Sequence, residues 1–178
     1  MKVIGLAGWS GAGKTTLLTR LIPHLVASGL SVSTIKHAHH RFDVDSPGED
    51  SHIHRQAGAE EVLVSSPRRS ALIHELRAEA ERSLDELLKM MKPVDLVLVE
   101  GFKAGRHPKI EVHRAENGKQ LMFPDDESIV FVVCDGPVYT TLPTCDLNDI
   151  DEIADFVRGL VVTIDDRPYL RSTKDPRD

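Results

Sequence analysis

Gly8-Trp9-Ser10-Gly11-Ala12-Gly13-Lys14-Thr15 is the stretch on which the fold turns. Gly8 and Gly13, spaced five apart and followed at once by Lys14 and Thr15, form the pattern of a phosphate-binding loop. The flanks suit it. Residues 2–7 (K-V-I-G-L-A) are a short apolar run fit for a buried strand. Residues 16–27 carry Leu17, Leu18, Leu21, Ile22, Leu25 and Val26 at helical spacing. The glycines let the backbone curl until successive N–H groups point inward as an anion nest, and the helix dipole adds positive potential at the same place. Lys14 then reaches the β and γ phosphates of a nucleotide, and the Thr15 hydroxyl can ligate Mg²⁺.

The 178 residues suit one domain with a proper core. Residues 1–162 read as a P-loop nucleotide-binding domain and 163–178 as a polar tail. A net charge of −6 argues against a nucleic-acid partner. The two cysteines, Cys134 and Cys145, make no CxxC and fit a reducing cytoplasm, each as a small core or loop residue. The first apolar stretch is too short for a signal peptide, and no apolar run reaches the length of a membrane span.

The remaining chain alternates between strand and helix patterns. Residues 30–35, 61–65, 70–73, 95–100, 109–114 and 129–134 read as strands. The stretch 109–114 (K-I-E-V-H-R) alternates as an edge strand would. Residues 51–57 predict a short helix capped by Asp50 and stopped by Gly58; 75–91 predict a long amphipathic helix; 149–159 predict another. The fold class is therefore α/β, a P-loop NTPase with a mostly parallel sheet and helices on both faces. Ligands of such sheets sit at the carboxyl ends of the strands, so Lys36, His37, Glu100, Lys103 and Asp135 are expected beside the loop.

Glu100 ends an apolar strand. It is expected to hold a Mg²⁺-bound water or to orient an attacking water; its structural alternative is a carboxylate capping the Gly101 turn. Asp95, at the other end of that strand, reads as solvated. Lys103, Arg106 and Lys109 share one loop and suit an anionic second ligand or a solvated basic surface, with Lys103 the better placed. His37, His39, His40, His52 and His54 cluster with Asp43, Asp45 and Asp50. Their spacing matches no zinc pattern. They read either as a transition-metal site or as a switch-like loop in which Asp45 or Asp43 reaches Mg²⁺ through water while Lys36 and His37 face the nucleotide. No N-K-x-D motif reads guanine, and Thr173-Lys174-Asp175 is one residue short. Asp135 follows an apolar strand and could accept from guanine N1–H and N2–H₂, or serve as a turn residue before Gly136 and Pro137. Trp9 reads as packing over the nucleotide or at an interface.

Three segments together resemble one family: G-W-S-G-A-G-K-T-T-L-L at 8–18, I-K-H-A-H-H at 35–40 with D-V-D-S-P-G-E-D-S at 43–51, and L-V-E-G-F-K at 98–103. They look like MobB, the molybdopterin-guanine dinucleotide biosynthesis protein B, over residues 2–160. The resemblance implies a GTP-binding homodimer with weak GTPase activity. It would assist the guanylyltransferase MobA, which joins GMP from GTP to molybdopterin. Carried over by motif position, Ser10, Gly11, Ala12, Gly13, Lys14, Thr15 and Thr16 would hold phosphates, and Thr15 with Glu100 would serve Mg²⁺. Lys36, His37, Asp45 and Lys103 match the family's other polar signatures. Molybdopterin or its guanine dinucleotide is the implied second ligand.

Hydrolysis is expected to be slow. Gln56 and Gln120 are the only glutamines, neither closely follows the Glu100 strand, and no arginine finger is evident. The alternative is a P-loop small-molecule kinase with Arg68, Arg69 and Arg106 as lid cations, although no compact arginine-rich lid is visible.

Overall fold

The computed structural model describes residues 1–38 and 42–163. In chain order the elements are β1 (Lys2–Ala7), α1 (Lys14–Ala27), β2 (Val32–Lys36), α2 (Asp50–Gln56), β3 (Glu61–Ser65), β4 (Ser70–His74) and α3 (Leu84–Met90). There follow β5 (Leu96–Glu100), β6 (Lys109–His113), β7 (Ile129–Cys134), β8 (Thr144–Asp146) and α4 (Ile150–Thr163). The chain divides into two compact units, one of Met1–His37 with the chain from Leu88 onward, the other of Ala38–Leu87. The tail expected at 163–178 lies, beyond its first residue, outside the described residues, as do His39 and His40.

The first unit is built on a parallel sheet of order β2-β5-β1-β6-β7-β8. From β1 the chain passes through α1 to β2 on one side, whereas β5 crosses to β6 on the other. The carboxyl end of β1 therefore lies where the strand order reverses, the usual ligand crevice of an open α/β sheet. The α/β expectation of a mostly parallel sheet packed with helices holds.

The two faces are covered differently. On one, Ile4, Leu6, Leu96, Leu98, Ile110, Val112, Phe131 and Val133 meet Leu17, Leu21 and Leu25 of α1 and Ile150, Ile153 and Val157 of α4. On the other, the short connection 101–108 lies across β1. Gly5 N donates to Pro108 O at 2.8 Å. A Cβ on Gly5 would fall 2.5 Å from His107 Nε2, so only glycine leaves room for the imidazole. Lys109 is 2% exposed, and its ammonium donates to Lys103 O at 2.7 Å, Asp126 Oδ2 at 2.8 Å and Ser128 Oγ at 2.7 Å. Glu111 is fully buried and accepts from Met122 N at 2.7 Å and Phe123 N at 3.0 Å.

This corrects the reading of β6 as an edge. It is central, between β1 and β7, and its alternation reflects one apolar face and one internally satisfied polar face. The expected helix over 75–91 shrinks to α3. Ser83 and Glu86 form a capping box: Ser83 N donates to Glu86 Oε2 at 2.8 Å, and Glu86 N donates to Ser83 Oγ at 3.3 Å. Upstream, Arg77 takes a left-handed φ of 48° and donates to Ala59 O. Glu49, not Asp50, is the N-cap of α2, and it makes no side-chain cap. Asp95 is bound rather than merely solvated, accepting from Ser31 N at 2.8 Å and Ser31 Oγ at 2.5 Å. Strand β8 is three residues long and carried no sequence signal. Cys145 pairs in register with Val133, so Cys134, one residue on, faces the other side of the sheet, and the two thiols cannot bridge.

The second unit pairs α2 with the antiparallel hairpin β3–β4. Its centre is Arg55, whose side chain is 8% exposed and binds Asp45 at 2.5 Å, Glu75 at 2.5 Å and Asp43 at 2.9 Å. Leu63, Val64 and Leu72 of the hairpin are left exposed.

Candidate functional site

The loop between β1 and α1 holds the nest conformation. Gly8, Gly11 and Gly13 have φ of 139°, 80° and 94°. At Gly8 a Cβ would lie 2.5 Å from Val112 O, so glycine is required there both by backbone and by space. Gly13 caps α1 in the left-handed region without a side-chain cap, and no acid sits in the first helical turn. The amide donors of Gly13, Lys14, Thr15 and Thr16 thus meet no anionic side chain of their own helix, which is what a phosphate site needs.

Around this loop the strand ends deliver charge. Thr15 Oγ1 donates to Glu100 Oε2 at 3.4 Å. Lys36, in register with Glu100 across β2 and β5, places Nζ 3.9 Å from the same carboxylate oxygen. His37 N donates to Glu100 O at 2.8 Å, and its ring stacks on Phe102 at 4.7 Å. Phe102 has φ 49°, and a Cβ on the preceding Gly101 would fall 2.4 Å from the His37 Cβ, so this turn is tightly fixed. Lys14 curls back, Nζ donating to Gly8 O at 2.8 Å and Trp9 O at 3.0 Å. Burial lowers its pKa, and neighbouring Lys103 and Lys36 lower it further, against Glu100, which raises it. The Thr15 hydroxyl and the Glu100 carboxylate are hard oxygen donors side by side, a set that suits Mg²⁺.

The structure therefore brings together Ser10, Gly11, Ala12, Gly13, Lys14, Thr15, Thr16, Lys36, His37 and Glu100. Lys103 is exposed, with Nζ 6.0 Å from the Trp9 ring centroid, and Lys119 Nζ lies 5.9 Å from the same ring. Lys109, grouped with Lys103 and Arg106 as an anion contact in the sequence, is instead consumed inside the sheet. Asp45 belongs to the second unit, where the Arg55 guanidinium holds its carboxyl down at about 2. Among the described residues, no three histidine, cysteine or acidic side chains converge as metal ligands.

Asp135 follows β7 as expected, exposed, with Oδ1 accepting from Ala115 N at 2.9 Å. That bond ties it to a segment the sequence reading missed, residues 114–120, which runs along the loop. Arg114 lies against Gly13: a Cβ there would sit 3.2 Å from Arg114 Nε. Asn117 Nδ2 donates to Ser10 O at 3.5 Å, and Trp9 Nε1 donates to Gln120 O at 2.8 Å. No local motif marks these residues. Only the parallel pairing of β1 with β6 brings their loop beside the nest. An open cleft lined by Arg20, His24, Asp146 and Asn148 lies beside α1 and the start of α4.

Comparison with known proteins supplies the family context. The model of the MobB family, "Molybdopterin guanine dinucleotide synthesis protein B", matches residues 3–135. The chain is 42% identical over 160 residues to a molybdopterin-guanine dinucleotide biosynthesis adapter protein of Escherichia coli K12, covering 87% of this chain and 90% of that one. It is equally 42% identical to the protein of that name from Haemophilus influenzae, covering 88% of each. Among solved structures, a molybdopterin-guanine biosynthesis protein B superposes with a TM-score of 0.70 at 30% identity, covering 90% of this chain and 99% of that one. A MobB homolog from Bacillus stearothermophilus gives 0.68 at 28% identity, covering 92% and 99%.

Proposed function

This chain belongs to the MobB family and is an adapter protein of molybdopterin-guanine dinucleotide biosynthesis; on that premise we propose that it works by binding GTP with Mg²⁺ and assisting the guanylyltransferase that joins GMP to molybdopterin. The observation that carries the nucleotide reading is the pairing of the nest with Thr15 Oγ1 at 3.4 Å from Glu100 Oε2. Ser10, Gly11, Ala12, Gly13, Lys14, Thr15 and Thr16 hold the phosphates. Lys14 exchanges the carbonyls of its own loop for phosphate oxygens when nucleotide enters. Thr15 and Glu100 serve Mg²⁺, and Lys36, His37 and Lys103 add polar contacts. Bound Mg²⁺ supplies charge neutralisation at the β and γ phosphates.

Asp135 reads guanine through its second carboxylate oxygen, while the first stays on Ala115 N. Hydrolysis is slow, with Glu100 orienting water, and the adapter role does not depend on rapid turnover. The exposed Leu63, Val64 and Leu72 on an isolated two-stranded sheet support homodimerisation, because such a hairpin needs a further apolar cover to be stable. Its place of work is the cytoplasm; among the described residues no helix is long and apolar enough to cross a membrane.

Calorimetric titration with GTP and ATP, each with Mg²⁺, tests the reading. GTP should bind more tightly than ATP, and Lys14→Ala should weaken GTP by more than about tenfold, since a charged hydrogen bond contributes about 1.5–3 kcal/mol. Equal binding of the two nucleotides, or a Lys14→Ala variant that binds like the parent, would overturn it.

A further inference from the structure

We propose that Arg114 is a phosphate-chain ligand of this P-loop, supplied from the β6–β7 connection, a role that rests on the nucleotide reading above. Its guanidinium lies directly on the last glycine of the loop, with Nε 3.2 Å and Nη2 3.4 Å from the point a Gly13 Cβ would occupy. Gly13 thus has two duties: it takes the left-handed φ, and it leaves room for the arginine. Arg114 Nε–H is buried and has no hydrogen-bond partner, and among the described residues no carboxylate pairs with this guanidinium. A buried N–H of a cation without an acceptor is costly, so the arrangement makes sense as half of a contact whose acceptor comes with a ligand.

The neighbourhood says what that ligand is. Lys14, Lys36, Lys103 and Lys119 gather near the loop in a chain whose overall charge is −6, with the carboxylates of Glu100 and Asp135 among them. A local excess of positive charge around a nest of amides selects a multiply charged oxyanion, and the planar guanidinium fork matches phosphate geometry. The arginine is also held in place from behind. Asp135 Oδ1 fixes the N–H of the next residue, Ala115, at 2.9 Å, and Asn117 Nδ2 anchors the same turn to Ser10 O at 3.5 Å. The positioning is built before any nucleotide arrives.

The test uses the full chain with Mg²⁺ in a calorimeter, titrated with GTP and with inorganic tripolyphosphate. Arg114→Gln should weaken both by about ten- to hundredfold, as loss of a charge-assisted hydrogen bond implies. Arg114→Lys should recover part of the loss. The melting temperature without nucleotide should not fall in Arg114→Gln, because the arginine has no protein acceptor to lose. The proposal is overturned if Arg114→Gln binds both ligands like the parent. It is overturned if only GTP is weakened, which would put the guanidinium on the nucleoside, or if the unliganded variant melts several degrees lower, which would make Arg114 a prop for the loop. Should the parent chain itself bind neither GTP nor tripolyphosphate, the nucleotide reading fails and takes this inference with it; an indifferent Arg114→Gln beside a binding parent removes the arginine alone.

Discussion

The sheet has two faces of different composition. One is apolar, sealed by α1 and α4 with leucine, isoleucine and valine. The other buries Val97, Val99 and Val132 together with Lys109 and Glu111, beneath the connection 101–108, which carries the buried His107, and the connection 114–128. The first face is held by area, about 25 cal/mol for each Å² of apolar surface removed from water, and any side chain of the right volume serves. The second adds to its valines a set of specific polar partners, where identity matters more than volume. The polar face also fixes the connections that flank the nest, since Lys109 binds the Lys103 carbonyl and Glu111 fixes Met122 and Phe123. Its chemistry is the indirect support of the proposed nucleotide site.

A matched pair of substitutions breaks or sustains that contrast. Lys109→Met keeps length and removes charge, leaving Asp126 without its ammonium and the Lys103 carbonyl without a donor. Breaking a buried pair in this way should cost about 3–4 kcal/mol. Leu98→Met, on the helix-covered face, should cost less than about 1.5 kcal/mol. Chemical denaturation of the two variants measures both. Equal losses would mean that the faces are held by the same physics after all.

His107 offers the next largest effect. Both ring nitrogens are buried without a hydrogen-bond partner, and burial, reinforced by Lys109 and opposed by Asp126, lowers its pKa from 6.5 to about 4. Above pH 6.5 the imidazole is neutral folded or unfolded and contributes no pH dependence. As pH falls from 6.5 toward 4 the unfolded chain takes up a proton that the folded chain refuses, so stability is lost across that window, on the order of 3 kcal/mol in full. Parent and His107→Leu, compared by denaturation at pH 7 and pH 4.5, should differ in slope, the variant losing distinctly less. Parallel slopes would show that His107 is not the acid-sensitive group.

The same contrast explains what could be seen in the sequence. The nest, Lys14, Thr15 and Glu100 were legible because each is set by a local pattern, a loop of fixed spacing or the end of an apolar strand. The apolar strands β1, β5 and β7 were legible for the same reason. β6 was mistaken for an edge because K-I-E-V-H alternates, and no local rule distinguishes solvent from a buried carboxylate's backbone donors at Met122 and Phe123. Arg114, Asn117 and Gln120 were invisible because they reach the loop only through the pairing of β1 with β6. The shortened α3 was readable in principle: Ser83-Leu84-Asp85-Glu86 is a capping box, overridden in the sequence reading by a longer run of helical spacing.

The smallest expected effect separates the two buried titratable groups of the polar face. Burial raises the Glu111 pKa, and the N–H groups of Met122 and Phe123 partly oppose the shift. Its sign is therefore opposite to that of His107. As pH rises past the ordinary carboxyl range the unfolded chain gives up its proton first, so Glu111 costs stability on alkalinisation and returns it on acidification. In the parent this partly masks the acid loss caused by His107. Glu111→Gln removes the titration while keeping the shape, with one backbone donor losing its acceptor at a cost of about 1 kcal/mol at neutral pH. Its stability should then fall more steeply than the parent's between pH 6.5 and 4.5, and the double variant with His107→Leu should be nearly flat there. A Glu111→Gln profile shallower than the parent's would mean that the carboxylate is held ionised by its two amides, and that the polar face is stabilised by charge as well as by hydrogen bonds.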